Sequence, residues 1–137
     1  METQNIYKSF NNEKTIEELQ YSMLQYKTTL ESFKPEYSFY KHLLKSQIFK
    51  SNVINLFEYL ERFKKTIADH EISTANLIIE INSHNNQITK KIECDDLVCD
   101  NYFIKEYDVL ENKIHTFLIE YSNFKLQMLP YLQSAIK

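Results

Sequence analysis

Apolar residues recur along most of this chain at alternating steps of three and four, the spacing of one face of an α-helix. The longest run is central. Val53, Leu56, Leu60, Phe63, Ile67, Leu77, Ile81 and Ile88, with no Pro or Gly among them, predict a single helix from Asn52 to Glu93. At 1.5 Å of rise per residue such a helix is about 60 Å long, too long to stand alone in water, so the chain on either side is expected to fold back over it.

Upstream, Ile16, Leu19, Met23, Tyr26, Leu30, Phe33, Tyr37, Tyr40 and Leu44 form a second regular stripe, which predicts a helical arm over 14–50. Pro35 falls inside it. Proline removes a backbone donor and clashes with the carbonyl four residues back, but the stripe keeps its phase across this position, so a kink is favoured over a reversal. A complete break there would give four helices instead of three. Beyond Leu44 the phase is lost, and Ser51 and Asn52, both good helix N-caps, mark a turn.

Downstream, Phe103, Tyr107, Leu110, Ile114, Phe117, Tyr121, Phe124, Met128 and Tyr131 predict a third helix over 101–136, with Asp100 as its N-cap and Pro130 kinking or fraying its last two turns. The intervening stretch, Glu93 to Asn101, lapses into cap-forming residues. Residues 1–13 are polar and read as a flexible leader with only Ile6, Tyr7 and Phe10 to anchor it. The prediction is therefore all-α: an elongated, antiparallel, up-down-up three-helix bundle over 14–137 with coiled-coil-like packing. The wide apolar arc of Val53, Ile54, Leu56, Phe57, Tyr59, Leu60 and Phe63 requires at least two neighbours for the central rod. In outline this is similar to a spectrin-type repeat, in shape alone and with no shared motif.

Composition narrows the functional classes. With no Gly in 137 residues, the glycine-dependent turns of phosphate-binding loops and nucleophile elbows are missing. A net charge of −3 gives no electrostatic footprint for nucleic acid or an anionic membrane. No run of about 18 apolar residues suggests a membrane span, and no signal-peptide pattern opens the chain. Two cysteines in a chain of this length do not make a secreted disulfide framework, so a cytoplasmic protein with free thiols is expected.

Few residues carry chemistry. His70 and His84 fall on the central stripe and are candidate buried polar or switch residues, with Glu111 the expected charged partner of His84. Cys94 and Cys99 flank a turn and form a candidate redox pair. Glu80–His84 and Glu111–His115 have spacing four rather than the three of di-iron bundles, and Cys94 and Cys99 supply only one loose pair toward zinc, so no metal, cofactor or catalytic residue is assigned. Tyr59 and Tyr102 sit off their stripes and, with Asp95 and Asp96, are candidate partner contacts. The resulting expectation is a non-enzymatic interaction protein, a scaffold, adaptor or regulator, with a protein partner that includes a second copy of itself as a homodimer. The alternative is a metal-, redox- or pH-responsive bundle using His70, His84 and the Cys94/Cys99 loop.

Overall fold

A computed structural model of the chain describes residues 6–91 and 97–137; for 89–91 and 97–101 the backbone alone is described. Three helices account for most of it: α1 (Ile16–Lys45), α2 (Leu56–Lys91) and α3 (Leu97–Ala135). The bundle is the one the three apolar stripes predict. α1 runs through Pro35 without ending, and α3 likewise continues through Pro130 to Ala135, so the last turns of α3 are not frayed. The four-helix alternative is thereby removed. α3 begins at Leu97, ahead of the N-cap expected at Asp100.

Side-chain pairs fix the directions. Tyr37 meets Thr74 and Lys41 meets Glu71, so position rises on α1 as it falls on α2 and the two are antiparallel. Tyr26 with Glu111 and Glu36 with Tyr121 are both 85 residues apart, which makes α1 and α3 parallel. α2 thus lies between two parallel rods. Its backbone approaches α1 most closely, whereas the α1 and α3 backbones stand farther apart. Aromatic side chains fill that wider gap. Phe33 and Tyr37 from α1 reach across it to Phe117 and Tyr121, with ring centroids 4.6 to 6.4 Å apart, in tilted and edge-on contacts that aromatic quadrupoles favour.

Local chemistry sets the ends. Thr15 caps α1, its hydroxyl accepting from the Glu18 amide at 3.1 Å while the Glu18 carboxylate reaches back to the Thr15 amide, a capping box that satisfies two otherwise unpaired groups. The α1–α2 turn needs one residue in the left-handed region. In a chain without glycine Asn55 takes it, at φ 59°, because asparagine tolerates that conformation better than other non-glycine residues. Beyond α1, Phe49 bridges to Ile136: the Lys50 amide donates to the Ala135 carbonyl at 2.8 Å and the Lys137 amide to the Ile48 carbonyl at 2.8 Å. This two-sided bridge ties the last residues of α3 to the turn that precedes α2.

Of the three anchors that hydropathy suggests for the leader, Tyr7 holds it and Ile6 and Phe10 do not. Ile6 and Phe10 are 82% and 70% exposed, whereas Asn11 is 1% exposed. Tyr7, Ser9 and Asn11 hold residues 6–14 against α3 through hydrogen bonds.

Candidate functional site

The densest polar constellation among the described residues is the one that seats this segment. Asp108 and Glu111, one turn apart on α3, present their carboxylates to the same donors. Asp108 Oδ1 accepts from Tyr7 Oη at 3.1 Å, Ser9 Oγ at 2.8 Å and Asn11 Nδ2 at 2.6 Å. Glu111 Oε1 accepts from Tyr7 Oη at 2.6 Å and Asn11 Nδ2 at 3.1 Å, and its Oε2 accepts from Tyr26 Oη at 2.9 Å. Two negative charges this close repel, and neutral donors shared between them offset the repulsion. Burial, together with the hydrogen bond to Glu111 and its charge, pushes the Tyr26 phenol up to about 12 and the Tyr7 phenol higher still. Both tyrosines are therefore neutral donors at physiological pH. The arrangement locks a segment in place and offers no phenolate nucleophile.

A second polar pairing joins the helices at mid-bundle. Tyr37 Oη and Thr74 Oγ1 are 2.7 Å apart between α1 and α2, and Tyr121 Oη donates to Glu36 Oε1 at 2.6 Å between α3 and α1. Lys125 approaches the same Glu36 oxygen at 3.3 Å and sits 4.4 Å from the Tyr121 ring centre.

The histidines lie on the seam as the spacing predicts, but against aromatic rings. His70 packs between Phe117, Tyr121 and Phe124, with centroids 5.3 to 5.5 Å away. His84 stacks on Phe103 at 5.0 Å and tilts against Tyr107 at 5.7 Å. The Glu111 carboxylate, the expected partner of His84, accepts from Tyr7, Asn11 and Tyr26. Burial holds the His70 pKa below its usual value, only partly opposed by the charges of Glu120 and Asp69. The sign of its linkage follows. Between the lowered folded value and an unfolded value of about 6.5, the unfolded chain binds more protons, so acid favours unfolding. Stability should therefore fall as pH drops below the unfolded value, and level off beneath the folded one. Urea midpoints of wild type and His70→Gln, compared across pH 5 to 8, should converge on the acid side; parallel curves would contradict this assignment.

Cys94, Asp95 and Asp96 lie outside the described residues, as does the side chain of Cys99. Tyr59 is exposed, its ring 4.6 Å from Tyr131 and 6.4 Å from Phe63, with Arg62 over it. Tyr102 is exposed, and a hydrogen bond to Glu106 on the next turn raises its pKa. The surface between α2 and α3 carries two open grooves. One is lined by Asn76, Leu77, Asn112 and Phe117, the other by His84, Gln87, Val109 and Leu110, and the Lys113–Glu80 ion pair, 2.9 Å long, borders both. Among the described residues no set of three His, Cys, Asp or Glu side chains is placed to hold a metal ion.

No family model, curated protein or solved structure matches this chain.

Among the described residues no helix is long and apolar enough to cross a membrane. The carboxylate pair and its donors were missed by sequence reasoning because the partners are about 100 residues apart. Their only local trace is that Asp108 and Glu111 sit one turn apart on the face that also carries Tyr107 and Leu110. Large apolar side chains that no stripe reading separates from the core also emerge on the outside. Phe39 on α1, Phe57, Ile72 and Ile79 on α2, and Leu126 on α3 are all exposed.

Proposed function

We propose that this chain is a non-enzymatic interaction module, a scaffold, adaptor or regulator that works through protein–protein contacts of its helix exteriors and associates with itself. The observation that supports this reading is the pairing of a closed interior with an apolar exterior. Tyr37, Tyr107, Tyr121, Ile67, Ile81 and Ile114 fill the core, while side chains of equal size stand in solvent on every helix. The titratable groups with shifted pKa values are held in structural hydrogen bonds or packed on rings, an arrangement suited to rigidity rather than turnover. Coiled-coil-like packing and a cytoplasmic location belong to the same reading, the latter resting on the sparse cysteines.

Sedimentation velocity over a concentration series, joined to affinity capture on the immobilised chain, tests it. A mass that rises above 16.5 kDa with concentration, or one specific retained partner, is the expected result. A constant 16.5 kDa with nothing retained would overturn the proposal. A second reading, a pH-responsive bundle, is supported by one observation, the His70 ring enclosed by three aromatic rings; the urea comparison above decides it.

A further inference from the structure

We propose that two copies of this chain pair through the outward face of α2, antiparallel, about a twofold axis passing between the levels of Ile72 and Ala75. This rests on the self-association proposed above and specifies its surface and register.

Ala68, Ile72, Ala75 and Ile79 follow one another at steps of four, three and four, so they share one face of α2. All four are exposed, Ile72 at 61% and Ile79 at 65%. The opposite face carries the buried Ile67, Thr74, Leu77 and Ile81. A helix on the outside of a three-helix bundle needs one apolar face, and α2 has two. No charged residue occurs from Ile72 through Ile79, although charged side chains are the usual occupants of an exposed helix face.

The pattern of sizes identifies the occupant. In the antiparallel register about this axis, Ala68 faces Ile79 of the second copy and Ile72 faces Ala75 of the second copy, and the twofold repeats both contacts. Every large side chain meets a small one, so the two helices can approach to the near end of the usual 8–10 Å range. The flanking levels also match: Glu61 faces Asn86 of the second copy and Lys65 faces Asn82 of the second copy, so each charge meets an amide and no like charges meet. Moving the register by seven residues one way places Ile79 on Glu61 and Ala75 on Lys65. Moving it the other way places Ile72 on Asn82 and Ala68 on Asn86. A parallel pair sets Ile on Ile and Ala on Ala, which holds the backbones apart where alanine would let them close. A surface that is its own complement in size and opposes no like charges is what an isologous dimer requires, and an unrelated partner has no need of it.

The contact from Glu61 to Asn86 runs about 38 Å along the helix. A single helix pair of that length lies near the low end of stable interfaces, about 1,200 Å² in all, which places the association in the weak, concentration-dependent range.

Sedimentation equilibrium over a micromolar to millimolar series is the test, with circular dichroism confirming that each variant stays helical. Ile72→Glu and Ile79→Glu should each weaken the dimer at least about tenfold, because each buries an unpaired charge. Leu126→Glu, an exposed position on α3, should leave it unchanged. A mixture of Ile72→Glu with Ala75→Lys should associate more tightly than either variant alone, since only the antiparallel register brings these two positions together. Wild-type dimers indifferent to Ile72→Glu, or equally weakened by Leu126→Glu, overturn the surface while leaving self-association standing. Loss without recovery in the mixture overturns the register, and a wild type that stays monomeric throughout overturns both this inference and the self-association beneath it.

Discussion

Replacing Tyr121 by alanine should destabilise the bundle by about 3–5 kcal/mol, the range for truncating a large buried aromatic. The side chain is fully buried at mid-bundle and spans the gap between α3 and α1. Its ring lies 4.6 Å from Phe33, 5.2 Å from Tyr37 and 5.5 Å from His70, and its hydroxyl donates to Glu36 at 2.6 Å. Alanine removes the contacts of all three helices at one level and leaves a void that the separated α1 and α3 backbones cannot collapse to fill. Since ordinary domains have about 5–15 kcal/mol of stability in total, this variant should lie near the edge of folding. Tyr121→Phe keeps the ring and loses the hydroxyl's hydrogen bonds to Glu36 and Tyr40, but Lys125 remains to pair with Glu36, so about 1 kcal/mol is expected. Urea unfolding of the three proteins measures both differences. A Tyr121→Ala loss no larger than that of Tyr121→Phe would show that the ring does not bridge the helices.

Glu111→Ala should cost about 2–3 kcal/mol and release the amino-terminal segment from α3, by the range for hydrogen bonds to a charged acceptor. Tyr26 loses its only hydrogen-bond acceptor among the described residues, while Tyr7 and Asn11 keep Asp108 alone. Loss should therefore concentrate where the segment docks. Hydrogen exchange should accelerate at residues 7–14 and remain slow in the core of α2, because local opening of a segment held by a few polar contacts needs far less free energy than global unfolding. Exchange that quickens evenly along all three helices would instead mean that the carboxylate supports the whole bundle.

The three stripes made the architecture readable because helical periodicity is a property of each segment alone, and the chain has no glycine to interrupt it. Boundaries were less readable. Asp100 has the chemistry of a cap, but so do its neighbours in a stretch crowded with Asp and Asn, and cap preference cannot choose among equivalent candidates. Cross-helix partners were less readable again. His84, expected to pair with Glu111, stacks its ring on Phe103 and tilts against Tyr107, and no period within one helix specifies which level of α3 a residue of α2 will meet. The docking of the leader was invisible for a different reason. Its anchors are polar, paired across 97 to 104 residues, and polar pairing at long range has no period to detect. Of the three anchors that hydropathy marked, Tyr7 docks through its hydroxyl, whereas Ile6 and Phe10 lie in solvent.

Because the rods are odd in number, the two extremities of the molecule do not come together. Tyr7 is fastened beside Glu111, whereas Ile136 is bridged to Phe49 about 25 residues, or roughly 38 Å, farther along α3. Tension between these points would first load the hydrogen bonds that fasten Tyr7 to α3, and once they gave way would slide the parallel α1 and α3 past one another lengthwise against the aromatic rungs between them. The leader, moreover, doubles back: Tyr7 meets α3 at Glu111, 14 residues or roughly 21 Å in from Leu97, so an attachment there would emerge from the flank of the bundle and one beyond Ile136 from its end.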